Sequence, residues 1–230
     1  MKEFTAEFLN RFFPNIVELQ RYLYTSIKET AIMIVITGAI GLTLGLFFGI
    51  VLVTTGKGGL YENLRFHNIL EKIVNIVRSI PFVILIALLV TFTRFLVGTA
   101  IGVKGAIVPM VIGIIPLGSR LTEQALSEMD KGVMEAALAM GISKPYIIFH
   151  VLIPESLPGL IRALVTCFIS LIGLTAMAGS VGGGGVGSFA IRYGYNRYMT
   201  DVTIVCVLFL LILVSIVQGI GNRAVSKLTH

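Results

Sequence analysis

Apolar residues in this chain fall in long, nearly uncharged runs separated by short charged stretches. A helix needs about 20 predominantly apolar residues to cross the hydrocarbon of a bilayer, and residues 30–53 meet that length without a single charge. Further runs follow at residues 80–97, 105–117, 159–180 and 202–221. The pattern predicts an all-α transmembrane fold of about five membrane-spanning helices. An odd number of crossings puts the two termini on opposite sides.

Within the first run Gly41, Gly45 and Gly49 recur every four residues, the small-xxx-small spacing that lets helices approach closely in lipid. Ordinary glycine enrichment in membrane helices accounts for any one of them, but the triple register favours a packing face. The start of the second run is open: residues 69–77 are helical in pattern, and Pro81 either caps or kinks a longer helix. Arg94 lies near the far end of that run and can snorkel to the interface. The third run is bracketed by Lys104 and Arg120 and broken by Pro109 and Pro116. Such breaks are tolerated only where neighbours or a cavity satisfy the freed backbone, which favours a buried or path-lining position. Arg162 lies near the entry of the fourth run.

Residues 1–29 read as an N-terminal amphipathic extension. Phe8, Leu9, Phe12, Phe13, Ile16 and Val17 suit an interfacial helix on the outer face. Lys2 is not followed by a compact apolar stretch with a small-residue cleavage site, so no cleavable signal is expected.

Composition agrees with a polytopic membrane protein. The 230 residues are 56% hydrophobic and 13% charged, and a soluble surface normally needs about 25% charged residues. The net charge of +6 comes from basic residues spread between apolar runs, which suits anionic lipid headgroups; no nucleic-acid-binding motif accompanies them. Nine Lys/Arg fall on the side that holds residues 54–80, the charged stretch 127–158 and the tail 222–230, against seven on the other. This small positive-inside excess puts that side in the cytoplasm and the N-terminus outside. Cys167 and Cys206 sit inside apolar runs and are expected to stay unpaired.

Several chemistries are missing. The Gly56–Lys57 pair is followed by Gly58 and lacks a glycine at position 51, so it is not a phosphate-cradling loop. The run GSVGGGGVG, residues 179–187, follows a span without a strand before it and reads as close packing or backbone flexibility. His67, His150 and His230 have no metal-ligand spacing. Glu123, Glu128, Asp130 and Glu135 cluster outside the spans as a solvated face. No carboxylate lies inside a run, so a proton relay has no carrier. These absences leave no sign of catalysis or of a metal or cofactor site, and a chain of this kind that moves solutes would draw its energy from a partner.

The stretch 127–158 interrupts the apolar pattern yet carries many apolar residues itself. Ala-rich residues 135–140 favour a helix, and Gly141 fits a left-handed C-terminal cap. Ser143 is suited to cap a second helix with Pro145 in its first turn, and that helix is expected to end near Pro154. Ala136, Ala137, Ala139 and Gly141 give the first helix small side chains, so that its backbone can settle deep into a groove.

This segment resembles the signature loop of ABC importer permeases: Glu135-Ala136-Ala137, three residues, Gly141, then Val151, Ile153 and Pro154 at the family's spacing. Val151 and Ile153 depart from its I-x-L-P ending only by conservative exchanges. A narrower resemblance, to the permeases of methionine (D and L) uptake importers, rests on NIVRSIPFVIL, GTAIGVKGAIVP, AMGISKPYIIFHVLIPESLPGL and the glycine run with its YGY. The resemblance implies a permease domain over residues 30–221, with a cytoplasmic coupling-helix loop, 127–158, between spans three and four. It also implies a homodimer, two cytoplasmic ATPase subunits that bind ATP and Mg, and a substrate-binding protein.

Glu135, Ala136, Ala137, Gly141 and Pro154 would then couple to the ATPase. The path would involve Pro109, Pro116, Met177 and Gly179, with Met177 either closing it or packing in a core. Gly183, Gly184, Tyr193 and Tyr195 would meet the binding protein. A permease for another small amino acid or related solute is the alternative, with a stand-alone secondary transporter behind it.

Overall fold

The computed structural model describes residues 12–228, apart from the side chain of Lys131. Phe8 and Leu9 of the expected amphipathic face lie outside the described residues. The described chain is all-α, with no strand. Helix α1 (Pro14–Thr37) passes through a π-helical turn (Gly38–Leu42) into α2 (Thr43–Thr55). Then come α3 (Leu64–Ser79), α4 (Phe82–Leu88), α5 (Val90–Val97) and α6 (Gly102–Ser127). The polar stretch holds α7 (Lys131–Ala139), α8 (Lys144–Ile147), a π turn (Ile148–Leu152) and α9 (Ile153–Glu155). Helix α10 (Leu157–Ser180) precedes α11 (Gly185–Phe189), a π turn (Ala190–Tyr195) and α12 (Thr200–Leu228).

Among the described residues four stretches are long and apolar enough to cross a membrane: Pro14–Thr55, Gly102–Ser127, Leu157–Ser180 and Thr200–Leu228. The first is 42 residues long, about 63 Å at 1.5 Å per residue, roughly twice the hydrocarbon thickness. It has no break at residue 29, so from Pro14 onward the amphipathic segment and the apolar run share one helix.

The expected span at residues 80–97 is not a single helix. Ile80 is extended (ψ 122°) and Pro81 follows at ψ 132°, as the ring of a proline forces on the residue before it. Leu89, at φ −88° and ψ 2°, then divides α4 from α5, although its N–H still reaches the Leu85 carbonyl at 3.0 Å. The third run differs in the opposite sense. Pro109 and Pro116 do not break it, and α6 runs on for 26 residues. Each proline leaves the carbonyl four residues earlier, Gly105 and Ile112, without its usual donor. Ending the helix there would strand many more polar groups in lipid, so the uninterrupted helix costs less.

The chain forms two compact units, with boundaries inside the first π turn, between α3 and α4, and inside α6, α10 and α12. One comprises residues 12–39, 81–111 and 169–216; the other comprises 40–80, 112–168 and 217–228. In the first unit, Leu19 of α1 packs with Val186, Phe189, Tyr193, Val202 and Cys206. Its N-terminal end is tied down by Asp201, whose carboxylate accepts from the Asn15 backbone N–H (3.0 Å) and side-chain amide (2.9 Å). One of the amides that a helix start leaves unpaired is thereby satisfied.

In the second unit α2 lies close against α6. A Cβ on Gly45 would come 3.1 Å from the Cα of Gly118, and one on Gly49 would come 2.7 Å from the Ser119 carbonyl and overlap Thr122. Gly45 and Gly49 are thus a packing register, while Gly41 lies in the π turn. Two core clusters fill this unit, Ala125 with Leu126, Leu152 and Leu160, and Leu60 with Ala137, Ile147 and Ile148.

Candidate functional site: a capped helix pair

The polar stretch folds as a short helix, a tight turn and a second short helix. Asp130 starts α7 by accepting from the Gly132 N–H at 2.8 Å. At the other end Gly141 adopts φ +76°. Its N–H reaches the Leu138 carbonyl (2.9 Å) and the Ile142 N–H reaches the Ala137 carbonyl (3.2 Å), the two bonds of a Schellman cap. A Cβ at Gly141 would touch nothing within 4 Å, so the glycine answers to its backbone angle and not to crowding.

Ser143 stands at the N-cap of α8, but its side chain makes no capping bond; Pro145 lies in the first turn. The helix ends near Pro154, as expected, at Glu155 one residue beyond it. After Ile147 the helix widens, and the Ile153 N–H bonds back five residues to the Ile148 carbonyl. This wider register carries the chain past Pro154 to Glu155, where Ser156 breaks it before α10.

The pair has two faces. Ala137, only 3% exposed, turns inward with Ile147 and Ile148, packed by Met134 and Ile142. Glu135, Ala136, Ala139, Gly141 and Pro154 are exposed. So are Val133, Leu138, Met140 (71%), Tyr146 and Phe149 (64%). That much exposed apolar surface on a small element suits a protein partner or the membrane. Tyr146 stacks on His150 at 4.0 Å, and Lys144 lies 5.1 Å from the Tyr61 ring.

In the same unit an ionic network braces α3 against α6. The Arg120 guanidinium donates to Glu123 and Glu71 (both 2.7 Å) and to the Asn75 side-chain oxygen (2.9 Å). The hydrogen bond from Arg120 holds the Glu71 carboxyl below the usual carboxylate range, outweighing the opposing effect of burial. The Nδ1 of His67 lies 3.0 Å from the Leu52 carbonyl and carries the proton of that bond, since a carbonyl only accepts.

In the first unit the glycine run packs against α1. The Glu29 carboxylate accepts from the Gly185 N–H (2.7 Å) and the Thr30 hydroxyl from the Val186 N–H (2.8 Å). Side chains of one helix thus cap the start of another. Gly185 has φ +75°, and a Cβ there would lie 2.6 Å from the Met33 methyl carbon.

The residues expected along a path are dispersed. Pro109 and Pro116 are buried in the unbroken α6, Met177 is half exposed on α10, and Gly179 is buried against the backbone of Gly187 and Ser188. Of the residues expected to meet a binding protein, Gly183 is buried, Gly184 is half-buried against Glu29, and Tyr193 belongs to the core. Only Tyr195, 73% exposed, is a surface residue. Sequence reasoning missed Glu29 and Thr30 as a cap and Arg120 as a brace. The available signal was a carboxylate at the edge of an uncharged run, beside a glycine run with many backbone amides to satisfy.

Known proteins share this architecture. The chain is 44% identical over 208 residues to the probable D-methionine transport system permease protein MetI of Vibrio cholerae, covering 90% of this chain and 92% of that protein. It is 50% identical over 171 residues to the methionine import system permease protein MetP of Bacillus subtilis, 74% of this chain and 77% of that protein. A chain of the MetNI methionine ABC transporter, solved in an inward-facing conformation, superposes with a TM-score of 0.90 at 39% identity, over 93% of this chain and 99% of that one. Residues 41–229 match the family model for the inner membrane component of binding-protein-dependent transport systems, and the chain belongs to that family.

Proposed function

We propose that this chain is the permease subunit of an ATP-driven importer for methionine, D and L, working as a homodimer with two cytoplasmic ATPase subunits and a substrate-binding protein. The observation that carries the reading is the exposed apolar face of the α7–α8 pair. Leu138, Met140, Tyr146 and Phe149 surround the Glu135-Ala136-Ala137…Gly141 signature at a capped turn. ATP and Mg belong to the partner ATPase. This chain supplies the path and transmits motion from ATP closure through the exposed Glu135, Ala136, Gly141 and Pro154, with Ala137 shaping the pair from within.

Alternating access would rock the spans, α4 and α5 together making the fifth crossing. Pro109, Pro116, Met177 and Gly179 are the path candidates. Tyr195 is the surface member of the expected binding-protein contacts, with Gly183, Gly184 and Tyr193 as its scaffold. The N-terminus lies outside and the C-terminus in the cytoplasm. In support stands the excess along the sequence of nine Lys/Arg on the side of α7 and α8 against seven on the other. The specific reading of methionine as cargo draws on what the similar proteins are named for.

Reconstitution with the partner ATPase and binding protein tests the reading: ATP-dependent methionine uptake is expected, and Gly141→Trp should abolish uptake while ATP is still hydrolysed. Uptake at the wild-type level in that variant would refute the docking role. Uptake of another amino acid but not methionine would move the chain to the alternative cargo.

A further inference from the structure

Helices α6 and α10 approach each other at Gly159, where a Cβ would lie 3.1 Å from that of Ala125. Beside this crossing opens a pocket of about 210 Å³. One wall carries Gln124 and Glu128, the other Arg162 and Thr166. Each pair is four residues apart, so the two side chains of a pair share a flank. The floor is made of small residues, Ala125 and Gly159 among them.

The two charges in this pocket have no partner within the described chain, and both side chains are exposed to solvent. Among the described residues neither the Glu128 carboxylate nor the Arg162 guanidinium has a hydrogen bond or ion pair. Arg120, on the same helix α6, spends its donors on Glu71, Glu123 and Asn75. Arg162 lies in the second turn of an apolar helix, where an arginine is costly unless it faces water, a partner or a ligand.

The arrangement selects among ligands by charge. A simple anion on Arg162 would face the like charge of Glu128, a simple cation would face Arg162, and a neutral solute would leave both charges unmatched. A molecule with a carboxylate and an ammonium on one carbon neutralises both. We propose that this pocket binds the head group of an amino acid, with Arg162 on the α-carboxylate and Glu128 on the α-ammonium, and the cargo side chain lying over the floor at Ala125. The inference rests on the reading of this chain as part of an amino-acid importer and adds a station for the cargo in the unit that carries the docking pair.

The test uses the permease–ATPase complex in nanodiscs without the binding protein. Bound radiolabelled L-methionine is displaced by L-methionine, by its methyl ester, which lacks the carboxylate charge, or by 4-(methylthio)butanoate, which lacks the ammonium. Methionine is expected to bind saturably and each analogue at least about tenfold more weakly, as expected for loss of a hydrogen bond to a charged group. Arg162→Gln should erase the discrimination against the ester alone, and Glu128→Gln that against the butanoate alone. Analogues that bind as well as methionine would overturn the proposal even if neither variant folds. So would variants that keep both discriminations, or the absence of saturable binding in a complex that still imports methionine. If methionine is not imported but another amino acid is, the same comparison is made with that amino acid and its ester and desamino analogues. Absence of ATP-driven uptake of any amino acid refutes the underlying reading instead.

Discussion

Gly141 lets the cost of one backbone angle be followed into transport. At φ +76° with open space around its Cβ position, a small substitution there meets no steric neighbour within this chain, and its penalty on the chain itself is conformational. An L-residue in the left-handed region costs about 1–2 kcal/mol, asparagine less because its side chain tolerates that region, and a β-branched residue most. Coupling is therefore expected to fall in the order Gly, Asn, Ala, Val. A cost of 1–2 kcal/mol corresponds to a loss of about 5- to 30-fold in the ratio of capped to uncapped turn. The assay pairs methionine uptake per ATP hydrolysed in proteoliposomes with hydrogen exchange at Gly141 and Ile142, whose amides close the cap. Exchange should accelerate in the same order as uptake falls. Wild-type uptake and exchange in Gly141→Val would refute the reasoning, as would equal losses in Asn and Val.

Other outcomes follow from the same geometry. Because Ala137 is buried and Ala136 exposed, a cysteine at 136 should label with maleimide and crosslink to the ATPase, while one at 137 should be protected; equal labelling would contradict the two-faced pair. Thr30→Val strands the Val186 N–H and is expected to cost about 1–3 kcal/mol, measured as a lower thermal midpoint in detergent, whereas Thr30→Ser should stay near wild type. Since Arg120 lowers the Glu71 pKa, the pair stabilises the fold above the ordinary carboxylate pKa and loses that effect as pH falls through the lowered value. Glu71→Gln should thus be less stable at neutral pH by about 0.5–1 kcal/mol, given its partial exposure, with the deficit shrinking in acid. A pH-independent difference would count against the pair.

The apolar runs were legible because uncharged length is what a membrane selects, and four of them became long helices. Gly141 was legible because the end of an Ala-rich helix narrows the choice to a residue that tolerates positive φ. The prolines of α6 misled because sequence reading weighs the bond a proline removes, whereas lipid sets the alternative, a helix end with far more unpaired groups. Leu89 carried no signal, since nothing in leucine marks a ψ near zero. The alanines of α7 were read as one small surface, but successive residues on a helix are 100° apart, and only packing against Leu60 and Ile147 decides that Ala137 points in. Glu29 was passed over as a boundary charge because its partner amide is 156 residues away.

Pro109 and Pro116 are seven residues apart, two turns of α6, so the rungs missing from its hydrogen-bond ladder lie nearly one above the other. A rod weakened along one edge is not equally stiff in all directions: it yields when that edge opens and resists in the perpendicular plane. Helix α6 is therefore an anisotropic spring, with its bending axis set by two residues. The direction in which it flexes is written into the sequence, while the amplitude is left to whatever loads its ends.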